Sequence, residues 1–152
     1  MWLKVAGILT AILLIYLLFG PAFAQSRYVV QNDYGGSMQE YQDRYLILDQ
    51  SGGHIRVAGE CVSSCTLMLA HMDYEHVCVD AQAWFGFHSA SSVNDLTRER
   101  KHSPEATRYM WQLYPMHVQN MLRLRGWNGA DGAEHPELIM IRASAFYRVC
   151  TD

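Results

Sequence analysis

A serine hydroxyl becomes a useful nucleophile only when a base takes its proton and donors hold the oxyanion that follows. Ser63 and His88 are the pair in this chain whose types and settings suit that work. Ser63 lies in Gly59-Glu60-Cys61-Val62-Ser63-Ser64-Cys65-Thr66, where a strand pattern at 54–58 turns into the apolar run Thr66-Leu67-Met68-Leu69-Ala70. A strand-to-helix turn exposes a hydroxyl and sets helix amides beside it. The amide of Ser64 is then a candidate oxyanion donor, helped by the helix dipole. Gly36 is the second candidate, because Gly35-Gly36 ends a short β run and lets backbone approach a substrate closely. His88 stands twenty-five positions after Ser63, at the end of the strand pattern Trp84-Phe85-Gly86-Phe87-His88, and is the candidate general base. The order and spacing are those of a serine hydrolase.

Other chemistry is less well supported by the residues. The four cysteines are Cys61, Cys65, Cys78 and Cys150. An even number in an exported chain argues for two disulfides, with three connectivities open. Cys61 and Cys65 bracket Ser63 and stand close enough to pin the turn that presents it. Pairing Cys78 with Cys150 would tie the C-terminus to the sheet. A thiol nucleophile or zinc ligand is the rival reading, but Cys-x3-Cys with distant partners is a poor zinc signature. His71 and His76 are five apart, which does not place both imidazoles on one helical face. No metal and no cofactor is expected.

The elements that must position the pair alternate between strand and helix. A β run at 28–32 leads into Asp33-Tyr34-Gly35-Gly36, and Ser37 caps a helix over 38–48 whose Met38, Tyr41, Tyr45 and Leu48 share a stripe. Ser51-Gly52-Gly53 is a turn. A strand at 54–58, a helix at 63–71 and a strand at 76–80 follow, and this succession favours parallel strands. Residues 89–102 are polar and read as an exposed loop or lid. Ser103-Pro104-Glu105 starts a helix, with serine as cap and proline at the first position. Tyr109, Met110, Leu113, Val118, Met121 and Leu122 give it an apolar face, suited to core packing or to a homo-oligomer contact, and Pro115 kinks or splits it. Residues 136–146 read as a final short helix.

The N-terminus and the charge balance bound the setting. Lys4 precedes an apolar stretch at 5–19, and Pro21-Ala22-Phe23-Ala24 offers a small-residue cleavage site. Fifteen residues fall short of the roughly 20 that span a bilayer, so 1–24 reads as a secretory signal peptide. The segment would touch the membrane only if uncleaved. Residues 25–152 then form one small domain with a net charge near −4, directed to the periplasm or secreted. No basic cluster tracks a phosphate backbone, which argues against nucleic acid as a partner.

Gly35-Gly36, a helix, Gly59-x-Cys61-x-Ser63-Ser64-Cys65-Thr66 and then Phe85-Gly86-Phe87-His88 resemble the Clp protease proteolytic subunit within the crotonase-like superfamily. The pattern is similar, more closely, to small exported, cysteine-containing bacterial proteins. It covers about half of the chain after the leader. The resemblance implies an α/β fold of repeated strand–helix units with a mostly parallel sheet. It also implies Ser63 as nucleophile, His88 as general base, and Gly36 and Ser64 as backbone oxyanion donors. That family carries a third, acidic member beyond the histidine. Here the region reads Glu137-Leu138-Ile139-Met140-Ile141-Arg142, so Glu137, Glu134 and Asp131 are the available substitutes. The handle segment that builds the Clp double ring is not evident. The expected function is an exported peptidase-type serine hydrolase acting on peptide or protein. The alternative is a catalytically inactive scaffold that serves as a binding or assembly module.

Overall fold

The computed structural model describes residues 27–94, 96–135 and 137–151. The leader expected at 1–24 lies outside the described residues.

The chain builds a mixed α/β structure on a mostly parallel five-stranded sheet. β1 (Arg27–Asp33) runs into α1 (Met38–Gln50), and β2 (His54–Val62) returns parallel to β1. A 3-10 segment, Ser63–Leu67, continues directly into α2 (Met68–His71). β3 (Val77–Val79) and β4 (Trp84–Phe87) then both pair with β2 in parallel, β3 along its first half and β4 along its second. Hydrophobic runs too short to stand alone are thereby stacked on one long central strand. Ile55, Val57 and Cys61 of β2 are buried, as are Val77, Val79, Phe85 and Phe87 on its neighbours.

The β1–β2 pair changes register between Val30 and Asn32. Gly59 faces that irregularity, and a Cβ there would sit 1.5 Å from the carbonyl oxygen of Gln31. Only glycine allows the two backbones to come that close. The irregularity lies four residues before Ser63, so it sets how the end of β2 is aimed.

Two expectations are corrected. Residues 89–102 are not merely a loop, because β5 (Ser91–Val93) and β6 (Arg100–His102) pair as an antiparallel hairpin. The helix expected over 136–146 does not form among its described residues, 137–146. β7 (Ile139–Arg142) runs antiparallel to β4 from Phe87↔Ile139 to Trp84↔Arg142, and a 3-10 turn, Ala143–Ala145, follows it. Alternate residues Ile139 and Ile141 are buried, a period of two that outweighs any helical tendency once β4 offers an open edge.

The remaining elements form as their patterns predict. Ser37 caps α1 by accepting from the Glu40 amide, and Tyr41 and Tyr45 are buried from its stripe. Ser103 caps α3 (Pro104–Leu113), with proline in its first turn. Pro115 ends that helix, and α4 (Met116–Leu124) starts after it. Met110, Trp111, Tyr114, Val118 and Leu122 enter the core, whereas Tyr109 stays 44% exposed.

Both disulfides are formed, Cys61–Cys65 and Cys78–Cys150. The second joins β3 to the C-terminal segment, beside a parallel bridge between Val79 and Val149. Two disulfides fit an oxidising compartment rather than the cytoplasm. Among the described residues no helix is long and apolar enough to cross a membrane.

Candidate active site

Ser63 is the first residue after β2, and its φ is +60°. A non-glycine residue in that left-handed region carries strain of the order of 1–2 kcal/mol. The turn is so tight because β2 must reverse into the helix within one residue while Cys61 and Cys65 are bridged across it. Beneath it, the Thr66 hydroxyl donates to the Ser63 carbonyl at 2.6 Å. Tyr45 donates to the Cys65 carbonyl at 2.9 Å. The Tyr114 hydroxyl lies 2.6 Å from Thr66 Oγ1 and completes the support. Burial pushes the Tyr45 and Tyr114 phenols well above the ordinary tyrosine range, so both remain neutral hydrogen-bonding groups.

The glycine loop after β1 packs directly on this turn. Gly35 has φ +81°, and a Cβ there would meet Ser63 Cβ at 2.8 Å and the Ser64 nitrogen at 2.9 Å. Its amide donates to Asp33 Oδ1 at 2.9 Å. Tyr41 donates to the same oxygen. Burial, followed by that carboxylate, pushes the Tyr41 phenol up to about 12. With the Gly35 amide engaged by Asp33, Gly36 is the member of the pair left to offer an amide to the cleft. The buried Ser64 side chain donates to the Gly36 carbonyl at 2.8 Å. That bond ties the loop carrying one candidate donor to the turn carrying the other.

His88 follows β4, whose Phe85 and Phe87 are fully buried against Phe146, Tyr147 and Tyr114. This aromatic packing fixes the strand end from which His88 projects. Its Nδ1 lies 2.6 Å from the carbonyl oxygen of Ser89. A carbonyl can only accept, so Nδ1 carries a proton, and in the neutral form of the ring the lone pair lies on Nε2. Ser63, Ser64, Gly36 and His88 line one cleft of 790 Å³. Ser63 and His88 are both half-buried, and among the described residues no hydrogen bond joins their side chains.

A scan of protein-family models and a search of curated proteins find nothing that matches this chain. The case for a site therefore rests on its geometry.

None of the acids named as substitutes for a third member hydrogen-bonds His88 among the described residues. Asp131 uses Oδ1 to accept from the Ala133 amide, while Glu134 and Glu137 are exposed. The chain that carries them does pass nearby, since the His135 amide donates to Ser89 Oγ at 3.3 Å. No carboxylate among the described residues hydrogen-bonds His88, and the Ser89 carbonyl occupies the Nδ1 position instead. Sequence reasoning missed that partner because a backbone acceptor has no residue-type signature. It named the Gly35-Gly36 pair but not which member is stricter: Gly35 has positive φ and packs on Ser63, whereas at Gly36 a Cβ would meet nothing closer than Tyr41 at 3.6 Å.

A second polar cluster lies apart from the cleft. Asp49 Oδ1 accepts from the Asp73 amide and from His76 Nδ1, each at 2.9 Å, and the His54 ring packs edge-on against His76. Burial pushes the Asp49 carboxyl up, but these two hydrogen bonds outweigh it and hold the group below the usual carboxylate range. The cluster anchors the end of α1 to the segment before β3.

Proposed function

We propose that this protein is an exported serine hydrolase of peptidase type, built on a Clp protease/crotonase-like scaffold. The observation that carries the reading is Ser63 held at φ +60° between strand and helix, in one cleft with a histidine whose tautomer leaves Nε2 free. Strain of this kind persists only where surrounding structure over-determines it, and it clusters at functional sites. In the proposed reaction His88 Nε2 takes the Ser63 proton as Oγ attacks the carbonyl carbon of the substrate. The oxyanion settles against the amides of Gly36 and Ser64. The same proton then passes to the leaving amine as the C–N bond breaks, and water, activated by His88, hydrolyses the acyl-enzyme.

A carbonyl partner for Nδ1 orients the ring as an aspartate would, but brings no full negative charge to stabilise the imidazolium. The expected enzyme is accordingly slow beside a complete triad. That same observation favours the second reading, a scaffold that binds without turnover.

Labelling of the purified, oxidised protein with a fluorophosphonate probe separates the two. Labelling of the parent that is lost in both Ser63→Ala and His88→Ala supports the hydrolase. A folded parent that takes no label leaves only the binding scaffold.

A further inference from the structure

The candidate cleft has a cationic wall that the catalytic reading does not use. Arg98 and Arg100, on the hairpin formed by β5 and β6, line it together with the glycine loop and Ser63. Both side chains are exposed. Among the described residues neither forms an ion pair or a side-chain hydrogen bond. The neighbouring charges behave differently, since Lys101 pairs with Glu99 at 3.6 Å. Arg98 is itself held at φ +59°, with its amide donating back to the Asn94 carbonyl at 2.8 Å. Asn94 Oδ1 in turn accepts from the Leu96 and Thr97 amides, which defines the turn that presents Arg98. Among the described residues that line the cleft, Glu40 is the one acid beside the two arginines. The whole chain, by contrast, has a net charge of −3. A cationic cleft on an anionic protein concentrates anionic ligands and turns others away.

We propose that this cleft selects acidic peptides, with Arg98 and Arg100 receiving Asp or Glu side chains near the bond presented to Ser63. Guanidinium is suited to this task because its planar donors match a carboxylate in two-point contact. Tyr34 and Met38 line the same cleft and offer apolar surface to a bound peptide. The inference takes its reaction from the hydrolase reading, but the selectivity belongs to binding and is measurable without turnover.

The test uses Ser63→Ala protein and two fluorescein-labelled decapeptides of one sequence, one with glutamates on both sides of the central bond and the other with glutamines there. Anisotropy titration is expected to show about tenfold tighter binding of the glutamate peptide, the scale of one charge-assisted contact. The preference is expected to shrink with added salt and to vanish in Arg98→Gln/Arg100→Gln. Arg98→Glu/Arg100→Glu is expected to prefer the corresponding lysine peptide. Because both arginines are exposed, circular dichroism and melting temperature should match those of the parent. Equal affinity for the two peptides, or binding of neither, overturns the proposal. A glutamate preference that survives the double glutamine variant overturns the assignment to these arginines. Glutamate preference in a parent that resists fluorophosphonate would uphold acidic-peptide binding and remove only the catalysis.

Discussion

Replacing Ser63 with glycine removes the proposed nucleophile and also the Cβ that makes φ of +60° costly. The left-handed conformation costs an L-residue roughly 1–2 kcal/mol, and glycine almost nothing. Against that relief, the freedom glycine adds to the unfolded chain takes back about 0.4–1 kcal/mol. The Cys61–Cys65 bridge, with a sequence separation of 4, encloses position 63 and persists in the unfolded chain, which keeps that loss at its lower end. Among the described residues no hydrogen bond from the Ser63 hydroxyl is lost, and the Ser63 carbonyl keeps its bond from Thr66. Ser63→Gly should therefore be more stable than the parent by about 0.6–1.6 kcal/mol, or roughly 2–6 °C in Tm for a domain of this size, while losing all fluorophosphonate labelling. Ser63→Ala retains the Cβ and its strain and should melt close to the parent, also unlabelled. Ser64→Gly is the control of opposite sign. It introduces glycine without strain relief and breaks the 2.8 Å bond to the Gly36 carbonyl, at a cost of roughly 1–2 kcal/mol. Thermal and urea melts of the oxidised proteins measure all three. Ser63→Gly melting at or below Ser63→Ala would refute the idea that the turn stores strain.

Gly35→Ala places a Cβ within 2.9 Å of the Ser64 nitrogen and the Val62 carbonyl at positive φ; a loss above about 2 kcal/mol is expected, whereas Gly36→Ala should fold normally, and equal melts would contradict this. Asp131→Asn, Glu134→Gln and Glu137→Gln should each leave the labelling rate within about twofold of the parent, because the Ser89 carbonyl already holds His88 Nδ1; a drop of tenfold or more in any one would identify a carboxylate partner. Replacing Cys78 and Cys150 together with alanine opens a link of sequence separation 72 and should cost about 4 kcal/mol, against about 2 kcal/mol for Cys61 and Cys65 on the loop-entropy estimate, yet the short bridge should matter more to labelling. Desolvation lowers the His71 pKa and its Nε2 is buried without a hydrogen-bond partner among the described residues, so the unfolded chain takes up a proton near pH 6.5 before the folded one does. Stability should fall as pH drops below that value, and His71→Leu should flatten the fall in urea melts. Asp49 acts lower on the scale: its depressed pKa stabilises the fold above the ordinary carboxylate range and is lost as pH falls through the folded value, so Asp49→Asn should weaken the acid limb below about pH 4.

Much of the frame is written in local sequence. The Ser37 and Ser103 caps, the stripe through Tyr41 and Tyr45, the break at Pro115 and the strand–helix–strand order around Ser63 are signals carried within a few residues of where they act. The placement of Ser63 after a strand and of His88 after a later one is legible for the same reason. Parallel pairing of β4 with β2 then brings both to the same end of the sheet. What the sequence could not decide were relations between segments far apart in the chain. Ile139-Met140-Ile141-Arg142 suits helix or strand alike, and only the free edge of β4 selects the strand. Residues 91–102 look like solvated loop until two three-residue strands pair and turn arginines toward the cleft. The partner of His88 is a main-chain carbonyl, which every residue possesses, so no choice of side chain announces it. Local propensity and periodicity were thus enough to set out most of the elements and to single out a candidate pair. Packing between distant segments decided which edge was filled, which glycine was indispensable and which group orients the base, because those free energies exist only once the chain has closed on itself.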